Sequence, residues 1–171
     1  MKIVQSGEPV GEVVSLELLR KQVRNADDAG VYTEDDDGLL QQYLDAAVEW
    51  VQDVCGQVLL RTAFKATGTD FALDFKGYPD PVVSSITYLD ELGAPGTVSG
   101  FEIKDGYLIV ENAPTVSAVT ILFEAGLGAG NIPTKLVQAA LQLAEAFYDK
   151  SGDGIPAGVK AMVAHHRSFA F

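Results

Sequence analysis

Residues 118–149 read AVTILFEAGLGAGNIPTKLVQAALQLAEAFYD, and the rhythm changes inside them. As far as Ala125 the pattern has a period of two, as a strand with one buried face requires. After GLGAGN, Pro133 stands where an N-terminal proline belongs. Leu136, Val137, Ala140, Leu141, Ala144, Phe147 and Tyr148 then make one apolar helix face, opposed by Gln138, Gln142, Glu145 and Asp149. A block of strands ends here and a helical part resumes.

Working back from this junction, residues 57–125 are short segments of period two with frequent glycine. VLLRTAFKATG, DFALDFKG, VVSSITYLDE, FEIKDG, YLIVEN and AVTILFEAG each fit a strand of ordinary length. Asp105-Gly106 between FEIK and YLIV is a hairpin signal, because a type I′ turn needs positive φ at both central residues. LGAPGT at 92–97 reads as another turn, and Pro79 and Pro81 bar a continuous central strand. With few helices available as crossovers, the sheet is expected to be antiparallel.

Helices flank this block. Ser15 caps a first helix carrying Leu16, Leu19 and Val23, with Val14 as a staple residue and Arg20, Lys21 and Arg24 near its C-terminal end. NADDAG at 25–30 reads as a loop. TEDDDG at 33–38 opens a second helix, with Thr33 and Asp36 spaced as a capping box and acids in the first turn. Leu40, Leu44, Val48 and Val51 form its apolar row, and Gly56 ends it. The same acid run fails as a calcium loop. Aligning Gly38 with the loop glycine places Leu44 at the twelfth position, where a bidentate Glu is required. A short last helix carries Val159, Met162 and Val163. The expected fold class is α+β: a helical bundle of about four helices with an inserted antiparallel β-sheet or small β-sandwich. Residues 14–56 with 131–171 form the helical part and 57–125 the inserted β block, in one discontinuous domain.

The 171 residues carry 24 acids and 12 bases, a net charge of −12, which disfavours nucleic-acid binding because that affinity comes from Lys and Arg neutralising phosphates. No apolar run approaches the ~20 residues of a membrane span, and MKIVQSGEPVGEVV does not read as a signal peptide. Cytosolic synthesis is expected. The charge is uneven: Glu34 to Asp53 holds seven acids and no base, whereas Gly154 to Phe171 holds Lys160, Arg167 and two histidines and no acid.

Patterns that carry chemistry are scarce. His165 and His166 are adjacent, so on a helix they diverge by about 100° and cannot share a metal as an i, i+4 pair can. Cys55 stands alone at the end of an apolar helix face, the usual place of a small buried hydrophobe. GLGAG at 126–130 lacks both the Lys-Ser/Thr ending of a Walker loop and the GxGxxG spacing, and reads as a flexible connection. No catalytic, cofactor or metal site is assigned. The remaining candidate is a contact segment: Lys160, His165, His166, Arg167, Phe169 and Phe171, basic and aromatic on an acidic chain. Arg and Phe are residue types favoured at interfaces.

Five stretches in order resemble the head–tail connector, or adaptor, proteins of long-tailed bacteriophages. They are VVSLELLRKQVR, DDDGLLQQYLDAAVEWVQDVCGQVLL, PDPVVSSITYLDELG, VTILFEAGLGAGNIPTKLVQAALQLAEAFYD and IPAGVKAMVAHHRSF, covering nearly all of the chain after residue 13. The sequence departs from the family at Cys55, where threonine is frequent, and at His165-His166, where a Pro-Tyr pair often precedes the arginine. The resemblance implies a non-enzymatic virion protein of the head–tail junction, made in the host cytoplasm. It also implies a ring, usually of twelve subunits, built by the helical part beneath the portal protein. Such a ring extends the DNA channel without binding DNA specifically and offers a platform to a stopper or tail-completion protein. The C-terminal segment would reach the portal, and removing residues 160–171 is expected to spare the fold. The alternatives are a small cytosolic enzyme using Cys55 and a ligand-binding module built on the β block.

Overall fold

The computed structural model describes residues 1–23, 36–149 and 154–167. They form two compact units, one of residues 1–11 with 60–128 and one of residues 12–59 with 129–171. The architecture is α+β, as expected. NADDAG, Thr33, Arg24, Phe169 and Phe171 lie outside the described residues.

The first unit holds β1 (Lys2–Gln5), β2 (Thr62–Gly68), β3 (Val82–Asp90), β4 (Pro95–Thr97), β5 (Phe101–Lys104), β6 (Tyr107–Val110) and β7 (Val116–Ala125). Five of them form an antiparallel sheet in the order β1-β2-β7-β3-β4, and β5 and β6 form a separate hairpin. β7 lies at the centre because it has the longest run of period-two residues. Its Val119, Ile121, Phe123 and Ala125 are buried, while Leu122 and Glu124 between them are exposed. Register then fixes the core: Phe64 lies opposite Phe123 and Ile86 opposite Ile121. Phe64, Phe75 and Tyr78 gather round Phe123 at ring-centroid distances of 5.4, 5.1 and 5.5 Å. Aromatic pairs at such separations add ~0.5–1.5 kcal/mol each beyond their burial. Asp105 and Gly106 both have positive φ, as the hairpin turn requires.

Three elements differ from the sequence expectation. β1 has no counterpart in the reading of the N-terminus, yet it pairs with β2 from Lys2↔Thr67 to Gln5↔Phe64. DFALDF is not a strand, because the Asp70 and Asp74 carboxylates accept hydrogen bonds from the backbone of Ala72 and Lys76 and curl the chain locally. The turn expected at 92–97 is displaced: Asp90 organises residues 90–94, and Pro95–Thr97 is a short edge strand. Gly96 is required there, since a Cβ would lie 2.3 Å from the Tyr88 ring.

The second unit holds α1 (Leu16–Gln22), α2 (Asp37–Cys55), α3 (Thr134–Asp149) and α4 (Ala157–Ala164). α2 packs on α3, α4 lies against both, and α1 touches α2 and α3. Ser15 caps α1 as expected, its hydroxyl accepting from the Leu18 amide at 3.3 Å. Gly56 ends α2 in the left-handed conformation, with its amide on the Gln52 carbonyl. Leu19, Leu40, Leu44, Val51, Leu136, Leu143, Val159 and Val163 are buried together with a row of alanines. Each large side chain contributes ~1.5–3 kcal/mol through burial, and the alanines Ala47, Ala139, Ala140 and Ala144 let helix axes approach closely.

Candidate interaction surfaces

α4 begins after Pro156 and turns Val159 and Val163 fully inwards, which leaves Lys160 on the exposed side. His165 ends the helix and is exposed, as is Arg167. His166 is half-buried, with its carbonyl accepting a hydrogen bond from the Gln57 side-chain amide at 3.0 Å and its own backbone amide on the Val163 carbonyl. Of the expected contact residues, Lys160, His165 and Arg167 thus lie on the surface of one short helix and its end, and His166 is tied down beside them. Phe169 and Phe171 lie outside the described residues. The inward valines also correct the expectation that removing residues 160–171 spares the fold, since that cut takes away fully buried Val163.

The acid run at the start of α2 has structural work. Arg20 of α1 forms a two-pronged ion pair with Asp37, its Nε lying 2.6 Å from one carboxylate oxygen. Asp36 occupies the cap position of α2 without making a side-chain cap bond. It accepts a hydrogen bond from the Tyr148 hydroxyl of α3 instead, at 3.0 Å. Among the described residues no three His, Cys, Asp or Glu side chains gather as a metal site. Further along, Asp45, Glu49 and Asp53 are exposed along the outer face of α2, which bears no basic residue.

Cys55 is buried at the end of α2, and its thiol faces the carbonyls of Gln52 and Gln57, at 3.5 and 3.8 Å. Burial pushes its titration up, which disfavours the nucleophilic thiolate. GLGAG is tighter than a flexible connection. Gly126 has φ of 128°, and a Cβ there would fall 2.2 Å from the Leu60 carbonyl oxygen. Its amide donates to the Pro79 carbonyl, so the first glycine serves the packing of the strand block.

Sequence reasoning missed one surface entirely, the face of the five-stranded sheet turned away from its core. Pairing brings Val4, Lys65 and Leu122 side by side there, with Lys2, Thr67, Thr120, Thr87 and Thr97 as the next row across all five strands. No local pattern announces this face, because its members come from both ends of the unit.

No protein-family profile and no curated protein matches the sequence. Solved structures do match over the whole chain. A chain in the neck of an empty gene transfer agent particle, solved with C6 symmetry, superposes with a TM-score of 0.76 at 21% identity, covering 100% of this chain and 97% of that one. The fold is that of a gene transfer agent neck chain. A chain in the virion of the native gene transfer agent particle gives 0.78 at 23% identity, and one in the native neck solved with C12 symmetry gives 0.75 at 22%, with the same coverage. These gene transfer agent structures agree with the resemblance to head–tail connectors, and what the chain shares with them is the fold from end to end.

Proposed function

We propose that this chain is a structural, non-enzymatic subunit of the neck of a virion, an adaptor that forms a ring under the portal protein. The observation that carries the reading is the end-to-end match to chains of neck structures solved with C6 and C12 symmetry. In this reading the helical unit builds the ring, with twelve subunits as the expected number. The ring extends the DNA channel and presents a platform to a stopper or tail-completion protein. A net charge of −12 suits a conduit, because acidic walls offer phosphates no counter-ions to release.

Lys160, His165, His166 and Arg167, with Phe169 and Phe171 beyond them, are proposed as the portal contact. They form a basic end on an acidic protein, fit for an acidic or apolar groove on the partner. The buried, high-titrating thiol of Cys55 weighs against the enzyme reading.

Electron microscopy of purified portal rings mixed with this protein tests the proposal. A second ring stacked on the portal is expected. A portal that stays bare at micromolar protein and moderate salt overturns the adaptor role. Lys160→Glu with Arg167→Glu separates the anchor from the role, because loss of stacking in that variant alone assigns the contact to α4.

A further inference from the structure

We propose that copies of this chain meet head to tail, with the outer face of the β1-β2-β7-β3-β4 sheet of one copy seated on the outer face of α2 of the next. The inference rests on the ring reading above and names the two surfaces that would build it.

Among the described residues Lys2, Val4, Lys65 and Leu122 are exposed on this sheet face, whose charge is unusual for this protein. On a chain with twice as many acids as bases, its described residues include Lys2, Arg61 and Lys65, with the acid Glu124 beside Arg61. Arg61 already faces Glu124 at 3.7 Å. Lys2 and Lys65 have no ion-pair partner among the described residues. Around these bases, Val4, Val82, Leu89 and Leu122 are 40–56% exposed on the same face. Four large aliphatic side chains beside unpaired cations make a surface suited to an acidic partner with some apolar area.

The outer face of α2 has the matching character. Gln42, Asp45, Ala46, Glu49 and Asp53 recur at helical spacing and point away from the buried row of Leu40, Leu44, Ala47 and Val51. Leu39 is 42% exposed at the edge of this face, and Ala46 allows close approach. The face is unfavourable for an isolated helix. Asp45 and Glu49, and Glu49 and Asp53, are like charges at i, i+4, and Asp53 stands at the negative end of the helix dipole. Cations from a partner would relieve both. The lengths also agree: Asp45 to Asp53 spans about 12 Å along a helix, and Arg61 to Lys65 spans about 13 Å along an extended strand.

Two different patches that fit each other generate a heterologous contact, which closes into a ring when the rotation permits. A second copy is therefore the occupant these surfaces favour, since each patch supplies what the other lacks.

The test is zero-length carbodiimide cross-linking of an equal mixture of isotopically light and heavy full-length chains, assembled alone and on portal rings. Light–heavy links from Lys2 or Lys65 to Asp45, Glu49 or Asp53 are expected. Lys2→Glu with Lys65→Glu should weaken association ~10-fold, as should Glu49→Lys with Asp53→Lys, and combining the two sets should restore most of the loss. If rings form but the links fall elsewhere, or only within one chain, these surfaces are wrong while the ring reading stands. If no ring forms under either condition, the ring reading falls with them. Duplex DNA retained by the wild type and released by Lys2→Glu with Lys65→Glu would assign the sheet face to phosphates and overturn the proposal. The cross-links are read on the unaltered chain, so a variant that misfolds does not remove the test.

Discussion

The hydroxyl of Tyr148, in the last turn of α3, donates its hydrogen to Asp36, at the first turn of α2, across 3.0 Å. One bond thus pins the end of one long helix to the beginning of another. It also explains why Asp36 makes no cap bond of its own.

Tyr148→Phe should cost about 0.5–1.5 kcal/mol, the usual net worth of a hydrogen bond. The bond to the Asp36 carboxylate raises the titration of the phenol, since the folded state holds its proton. The contribution is therefore complete below the ordinary tyrosine value near ~10 and is lost as pH rises through the raised one. Urea titrations of both proteins at neutral and strongly alkaline pH check this. A stability gap that stays constant across that range would show that the hydroxyl acts otherwise.

Gly126→Ala should be severe. A left-handed φ and a Cβ only 2.2 Å from the Leu60 carbonyl oxygen force the backbone apart, at about 3 kcal/mol or more. Gly130→Ala is the control, with nothing within 4 Å of its added carbon. Thermal melts of the pair should differ widely, and equal melting temperatures would refute the packing role of Gly126.

Truncation after Arg167 should leave the melting temperature unchanged, whereas truncation after Val159 should lower it sharply. The longer cut removes Val163, which is fully buried, and its loss costs about 2–3 kcal/mol by burial and cavity formation. Circular dichroism with thermal unfolding distinguishes them. A stable product of the longer cut would mean that α4 is dispensable to the helical unit.

Cys55 should react with a thiol reagent only as fast as the protein opens. Burial both shields the sulfur and disfavours its thiolate. Labelling followed by mass should be slow in buffer and rapid in denaturing urea. Rapid labelling of the native chain would return the cysteine to consideration as a reactive group.

Much of the fold is written in local pattern. The apolar row of α2, the Ser15 cap, Gly56 and the Asp105-Gly106 turn each depend on residues within a few positions, and each was legible. β1 was not, because four residues have no rhythm to show and their partner in β2 lies some sixty positions away. DFALDF misled for the opposite reason: its alternation is genuine, but two aspartates offer the backbone closer partners than a neighbouring strand. The basic end at Lys160 to Arg167 was visible as composition. The sheet face at Lys2, Arg61 and Lys65 became visible only once register placed those residues together.

The helical unit is drawn from two stretches with all of the strand block except β1 encoded between them. During translation α2 is finished long before Leu136 of α3 leaves the ribosome. At ~5–20 residues per second, its apolar row waits roughly 4–16 s for a partner. Over that interval Leu40, Leu44 and Val51 lack the α3 side chains they pack beside in the finished helical unit. Yield in the cell is therefore expected to respond to elongation speed across the strand codons as well as to the stability of the finished protein.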